Sequence, residues 1–155
     1  MLRAIQQHLL ADAVVTAITE QRIFVKTDLP RLTKSAFHGL PITHQPWDSF
    51  GMLQPTIYIV PVAQTPVFGS GYRAKNWLDL DIYFYDEDTY SSIELLRRQA
   101  FSLLQAQTLT PVQTPSTAWR LLHQNDILGA WDNELDCPMI VQRWRVPYNP
   151  TGEDC

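Results

Sequence analysis

Cysteine is scarce: Cys137 and Cys155 are the only two in 155 residues. They form no Cys-x-x-Cys and no spaced framework, which excludes a disulfide-stapled scaffold and points to a reducing cytoplasm. Cys137 reads as a small buried hydrophobe, and Cys155 is expected in a mobile tail. Long apolar runs are missing too. None approaches the roughly 18 residues of a bilayer-crossing helix, and residues 1–10 lack the apolar centre and cleavage site of a signal peptide. Charged residues make up only 18%, where about 25% is usual. The net charge of −4 supplies no cationic excess for nonspecific nucleic-acid binding. What is abundant is apolar and aromatic: 45% hydrophobic residues, with 5 Trp, 6 Tyr and 6 Phe. That suffices for one folded domain with a real core, and it leaves aromatic surface for a partner to cover.

Periodicity sets the order of elements. Leu2, Ile5, Leu9, Ala13, Val14, Ala17 and Ile18 recur at three- and four-residue steps, which predicts one helix of about 18 residues. Arg22-Ile23-Phe24-Val25 reads as a short strand. Residues 27–54 have no steady period and carry Pro30, Pro41 and Pro46, yet Leu32, Phe37, Leu40, Trp47, Phe50 and Leu53 are spread along them. They read as an extended arm whose apolar side chains must lie on something. Pro55-Thr56-Ile57-Tyr58-Ile59-Val60-Pro61-Val62 is a β-branched strand, with Pro61 at an edge or bulge. Residues 66–71 read as a turn.

The clearest strand is 76–85: Leu78, Leu80, Ile82 and Phe84 point one way, and Trp77, Asp79, Asp81, Tyr83 and Tyr85 the other. Asp86-Glu87-Asp88-Thr89 opens a second helix, since carboxylates are favoured beside exposed amides. Its stripe is Ile93, Leu96, Ala100, Leu103 and Leu104, and Glu94 is placed to pair with Arg97 or Arg98. A strand around 118–123, an acidic turn over 126–136 and a last strand over 139–146 complete the chain. In that last strand Arg143 and Arg145 face one way, and Gln142, Trp144 and Val146 the other.

The expected architecture is α+β: a mainly antiparallel sheet of four to five strands, two helices packed on one face, and a long extended arm. One domain spans 1–148, with the arm over 27–54 and a disordered tail over 149–155. Residues 22–75 hold six basic residues against two acidic ones, and the remainder is acidic. Opposite ends of opposite sign suit a head-to-tail contact between copies.

Chemical signatures are sparse. His38 and His44 share the arm, but Gly39 and Pro41 lie between them and no helix or strand sets them as a ligand pair. His8 borders the first helix stripe and reads as half-buried. Gly69-Ser70-Gly71 lacks the ending of a phosphate loop, Ser91-Ser92 are helix-start residues, and there is no nucleophile elbow. Asp79 and Asp81 project from one strand face, as paired metal-binding carboxylates do, with Lys75 nearby. Their neighbours Trp77, Tyr83 and Tyr85 favour a solvated or partner-facing strand over a nuclease site. No enzyme, metal or cofactor is expected, and no pocket signature marks a small-ligand module.

The layout resembles the tail-terminator (tail-completion, neck) proteins of long-tailed bacteriophages. The matching segments are Ala17-Ile18-Thr19-Glu20-Gln21-Arg22-Ile23-Phe24, then Pro55-Thr56-Ile57-Tyr58-Ile59-Val60, then Leu80-Asp81-Ile82-Tyr83-Phe84-Tyr85-Asp86 running into the helix over 93–104, then the strand over 140–146. The insert over 32–53 departs from that pattern. The resemblance implies a virion protein, assembled in the host cytoplasm, that forms a ring of six copies. The ring would cap the tail tube protein and join it to neck or connector proteins, with DNA passing through the lumen without specific binding and no membrane involved. A head-completion or adaptor role in the neck is the alternative. On this reading Trp47, Phe50, Trp77, Tyr83 and Trp131 are candidate interface anchors. Asp79, Asp81, Arg143 and Arg145 are the candidate polar contacts.

Overall fold

The strand read from alternation is the middle of the sheet. A computed structural model describes residues 2–34, 45–66, 76–105, 108–109 and 119–148. The elements are α1 (Leu2–Leu10), α2 (Ala13–Thr19), β1 (Ile23–Val25), β2 (Thr56–Pro66), β3 (Asn76–Tyr85), α3 (Tyr90–Leu104), β4 (Thr108–Leu109), β5 (Trp119–Arg120), β6 (Leu122–Asp132) and β7 (Cys137–Tyr148). The main sheet has five strands in the order β1-β2-β3-β7-β6, and β4 and β5 pair separately. β1 runs parallel to β2, and the other neighbours in the main sheet are antiparallel. The fold is α+β with a mostly antiparallel sheet, as the pattern predicts.

The helices pack on the face that carries Ile57, Ile59, Leu80, Ile82, Phe84, Ile140, Trp144 and Val146, and all of these are buried with Ile5, Leu9, Ile93, Leu96, Ala100 and Leu104. Among the described residues three helices lie there rather than two, because the first predicted helix is broken. Asp12 adopts an extended conformation, and its Oδ1 accepts hydrogen bonds from Val14 N at 3.0 Å and Val15 N at 2.9 Å. This N-cap restarts the chain as α2 and rotates its inward face by one residue. Val15 and Thr19 are therefore buried, while Ala13, Val14 and Ala17 are exposed. Glu20 and Gln21, at φ 47° and 68°, reverse the chain into β1.

Two further expectations change. The acidic turn over 126–136 is mostly strand: β6 runs to Asp132, and only 133–136 form the turn. Hydrogen bonding to β7 holds β6 in place, so it needs no apolar face of its own. Pro61 does sit at a bulge, where the β2–β3 register shifts between Pro61 and Ala63. Because β1 pairs with Ile57–Ile59 alone, the rest of β2 is an open edge on that side among the described residues. Pro61 and Pro66, which lack an N–H, both fall in that stretch.

The described parts of the arm lie on the chain's own sheet, on the face away from the helices. Leu29, Leu32 and Leu53 are buried there with Tyr58, Tyr85 and Cys137, and Trp47 packs against them. Burying each leucine contributes about 1.5–3 kcal/mol. Tyr58 Oη donates to Leu29 O at 2.7 Å. Leu53 N donates to Glu87 Oε2 at 2.8 Å and Leu53 O accepts from Glu87 N at 3.0 Å, which clips the arm to the β3–α3 connection. The Gly69–Gly71 turn, Lys75, His38, His44 and the 149–155 tail lie outside the described residues. Among the described residues no helix is long and apolar enough to cross a membrane.

Candidate interaction surface

Strand register decides what the polar sheet face contains. The β3–β7 pairing sets Asp79 opposite Arg145 and Asp81 opposite Arg143. Arg143 Nε and Nη2 donate to the two Asp81 oxygens at 2.8 and 2.9 Å. Arg145 does the same to Asp79 at 2.7 and 3.2 Å. Asp81 is only 3% exposed, so its fork-on-fork pairing offsets the cost of taking the charge out of water. The bond to each carboxylate pushes both guanidinium pKa values up. Arg145 also sits over the Trp77 ring, 5.9 Å from its centroid, a cation–π arrangement. Each carboxylate is thus engaged by a guanidinium, not aimed outward as a metal ligand. Among the described residues no group of three or more His, Cys, Asp or Glu side chains is placed to hold a metal ion.

Beside this ladder is an open concavity of about 380 Å³ floored by Tyr58, Val60, Tyr83 and Tyr85. Tyr83 and Tyr85 stack with centroids 6.0 Å apart. Lys26 and Arg31 line it from the β1 side, and Asp132 and Glu134 from the β6–β7 turn. Burial pushes the Tyr58 phenol up to about 12, with Tyr83 adding to it. Burial, then Asp132, raises Tyr85 much further. Burial also pushes the Cys137 thiol up to about 12, with the neighbouring Asp132 adding to it. All three groups stay protonated near neutral pH.

Two large side chains stand out to solvent. Phe50, 90% exposed, tips a pinned turn. Asp48 Oδ1 accepts from Phe50 N at 2.8 Å and Met52 N at 3.0 Å, and Asp48 N donates to Met52 O at 3.0 Å. Gly51 takes φ +83° there, a left-handed conformation that suits glycine. Trp131, 54% exposed, stands on the edge strand with Leu128 at 56% and Ile127 at 42%. Its Nε1 donates to Asp136 Oδ1 at 3.2 Å.

The chain matches no protein-family model, and no curated protein matches it. Its fold has a solved likeness. It is similar to a chain of the structure titled "Virion of native gene transfer agent (GTA) particle", with a TM-score of 0.62 over 96% of this chain and 94% of that one. Sequence identity is 14%, so the likeness is one of fold.

Of the interface residues expected from sequence, β3 and β7 bring Trp77, Asp79, Asp81, Tyr83, Arg143 and Arg145 onto one face. Trp47 is half-buried against the chain's own arm cluster, bridged to Leu53. Phe50 and Trp131 project from the arm turn and the β6 edge. Sequence reading missed Ile127 and Leu128 by taking their segment as a turn. The expected pairing of Glu94 with Arg97 and Arg98 is present, at 2.7 and 2.8 Å, but sequence reading missed that Arg97 also reaches Asp126 at 2.5 Å and that Asp126 meets His123 at 2.7 Å.

Proposed function

We propose that this chain is a structural component of a phage-like virion and works as a tail terminator. Copies close into a ring, expected to be six-membered, that caps the tail tube and joins it to the neck, with DNA passing through the lumen. The observation that carries this reading is the fold likeness to a virion chain over nearly the whole of both chains. The surface chemistry supports it. Asp79 and Asp81 of the sheet are paired with Arg145 and Arg143, and the most exposed large apolar side chains described include Phe50 and Trp131, residue types that anchor protein contacts. The protein acts by docking, and the partners are copies of itself, the tube protein and neck or connector proteins.

The test is electron microscopy of the purified protein mixed with tail tubes and, separately, with emptied capsids. Rings at tube ends are expected. Density at the capsid vertex instead assigns the chain to head completion or an adaptor role. Binding to neither, with a strict monomer at every concentration, removes the virion reading.

A further inference from the structure

Two patches on this chain are alike in apolar character and opposite in sign. One is the arm turn, where Phe50 is 90% and Met52 37% exposed. Lys34 Nζ lies 3.1 Å from where a Cβ on Gly51 would be, so the ammonium flanks Phe50. Lys26, Arg31 and Lys34 are exposed and form no ion pair among the described residues. The turn's own hydrogen bonds fix Phe50 in place before docking, which lowers the ordering cost of burying it.

The other patch is the outer strand β6 and the turn after it. Leu128 and Trp131 are 56% and 54% exposed, Asp136 accepts from Trp131 Nε1, and Glu134 is exposed in the same turn. This edge cannot accept a continuous added strand. Its register with β7 shifts between His123 and Asn125 and again between Ile127 and Ala130. Gln105 Oε1 takes the His123 N–H at 3.3 Å, and Tyr90 Oη takes the Gly129 N–H at 3.1 Å. Bulges and blocked amides of this kind protect an edge from strand addition. A partner must therefore grip β6 by its side chains.

We propose that the Phe50 turn of one copy seats against Leu128 and Trp131 of the next copy, with Lys34 beside Glu134 and Asp136. This deepens the ring reading and rests on it. Charge complementarity selects the second copy as occupant: each chain carries both the cationic and the acidic patch, so every copy offers what its neighbour lacks. The cations follow β1 and the acids follow β6, the two outer strands of the sheet, with Lys26, Arg31 and Glu134 rimming the concavity that lies between them. A contact between two different patches is heterologous and closes into a ring when its rotation permits.

The test uses two full-length variants, Phe50→Ser/Lys34→Glu and Leu128→Asp/Trp131→Ser, with circular dichroism to check the fold. Light scattering on a sizing column, alone and with tail tubes, reads assembly. Wild type is expected to form rings and each variant to associate at least tenfold more weakly. The two variants mixed should stop at a one-to-one pair, since only one live contact remains. Should either variant fail to fold, Lys34→Glu and Glu134→Lys replace them. Each is then expected to weaken assembly, and combining both in one chain to restore it. Variants that still form wild-type rings overturn this contact and leave the ring reading intact. Wild type that makes no ring, free or on tubes, overturns both.

Discussion

Arg143 takes both carboxylate oxygens of Asp81 across the β3–β7 pair, at 2.8 and 2.9 Å. The two partners are unequally buried: the Asp81 side chain is 5% exposed and that of Arg143 41%. Removing one should therefore not equal removing the other. Arg143→Met strands a buried carboxylate and should cost about 3 kcal/mol. Asp81→Asn lets the guanidinium turn to water and should cost about 1 kcal/mol. Urea unfolding of both variants measures the difference, and equal costs would contradict it.

The Asp79/Asp81 nuclease reading has its own assay. With magnesium or manganese, the purified protein should leave DNA uncut. Cleavage that Asp81→Ala abolishes would restore that reading.

Glu94 supplies a pH signature. Its carboxyl is pulled from 4.5 to about 2, first by hydrogen bonding to Arg97 and, against partial burial, by Arg98 as well. A folded pKa below the unfolded one adds stability that is full above about 4.5 and lost as pH falls toward 2. Wild type should therefore exceed Glu94→Gln by about 1–2 kcal/mol at pH 6, after allowance for solvent screening. The gap should close by pH 2. Denaturant midpoints of the two proteins across that range read it directly, and a gap that persists at pH 2 would contradict the assignment.

Cys137 should be silent in the native state. The side chain is fully buried and the thiol is pushed up to about 12, so almost no thiolate exists near neutrality. In a Cys155→Ser background, a thiol-exchange reagent at pH 8 should find no reactive group until denaturant is added. Rapid native labelling would show that the arm cluster opens.

Asp12→Ala removes the cap that separates α1 from α2, and with it the bond from Gln99 Nε2 to Asp12 Oδ2 at 3.1 Å. The expected cost is about 1–2 kcal/mol. The thermal midpoint should fall with helix content nearly unchanged, because the two helices are separately packed on the core.

Much of the fold is legible in local pattern. Alternation gave both faces of β3, the stripe gave the buried side of α3, and Pro61 marked its bulge. Each of those signals lies within one element. The Asp81–Arg143 and Asp79–Arg145 pairs do not: their members are 62 and 66 residues apart. Alternation tells which face each occupies but not which register joins them. The break at Asp12 was hidden because apolar residues continue through it at helical spacing. β6 was hidden because an edge strand backed on one side needs few apolar residues, and Asp126, Asn133, Glu134 and Gly129 read as turn. The anchors Phe50 and Trp131 were visible by residue type, but their exposure depends on tertiary packing.

The open stretch of β2 beyond β1 is punctuated by Pro61 and Pro66, so two of its backbone positions have no amide hydrogen to offer. A stray chain laying itself along that margin meets gaps where a fibril-like ladder needs continuity. Wayward sheet growth from that margin is thereby discouraged.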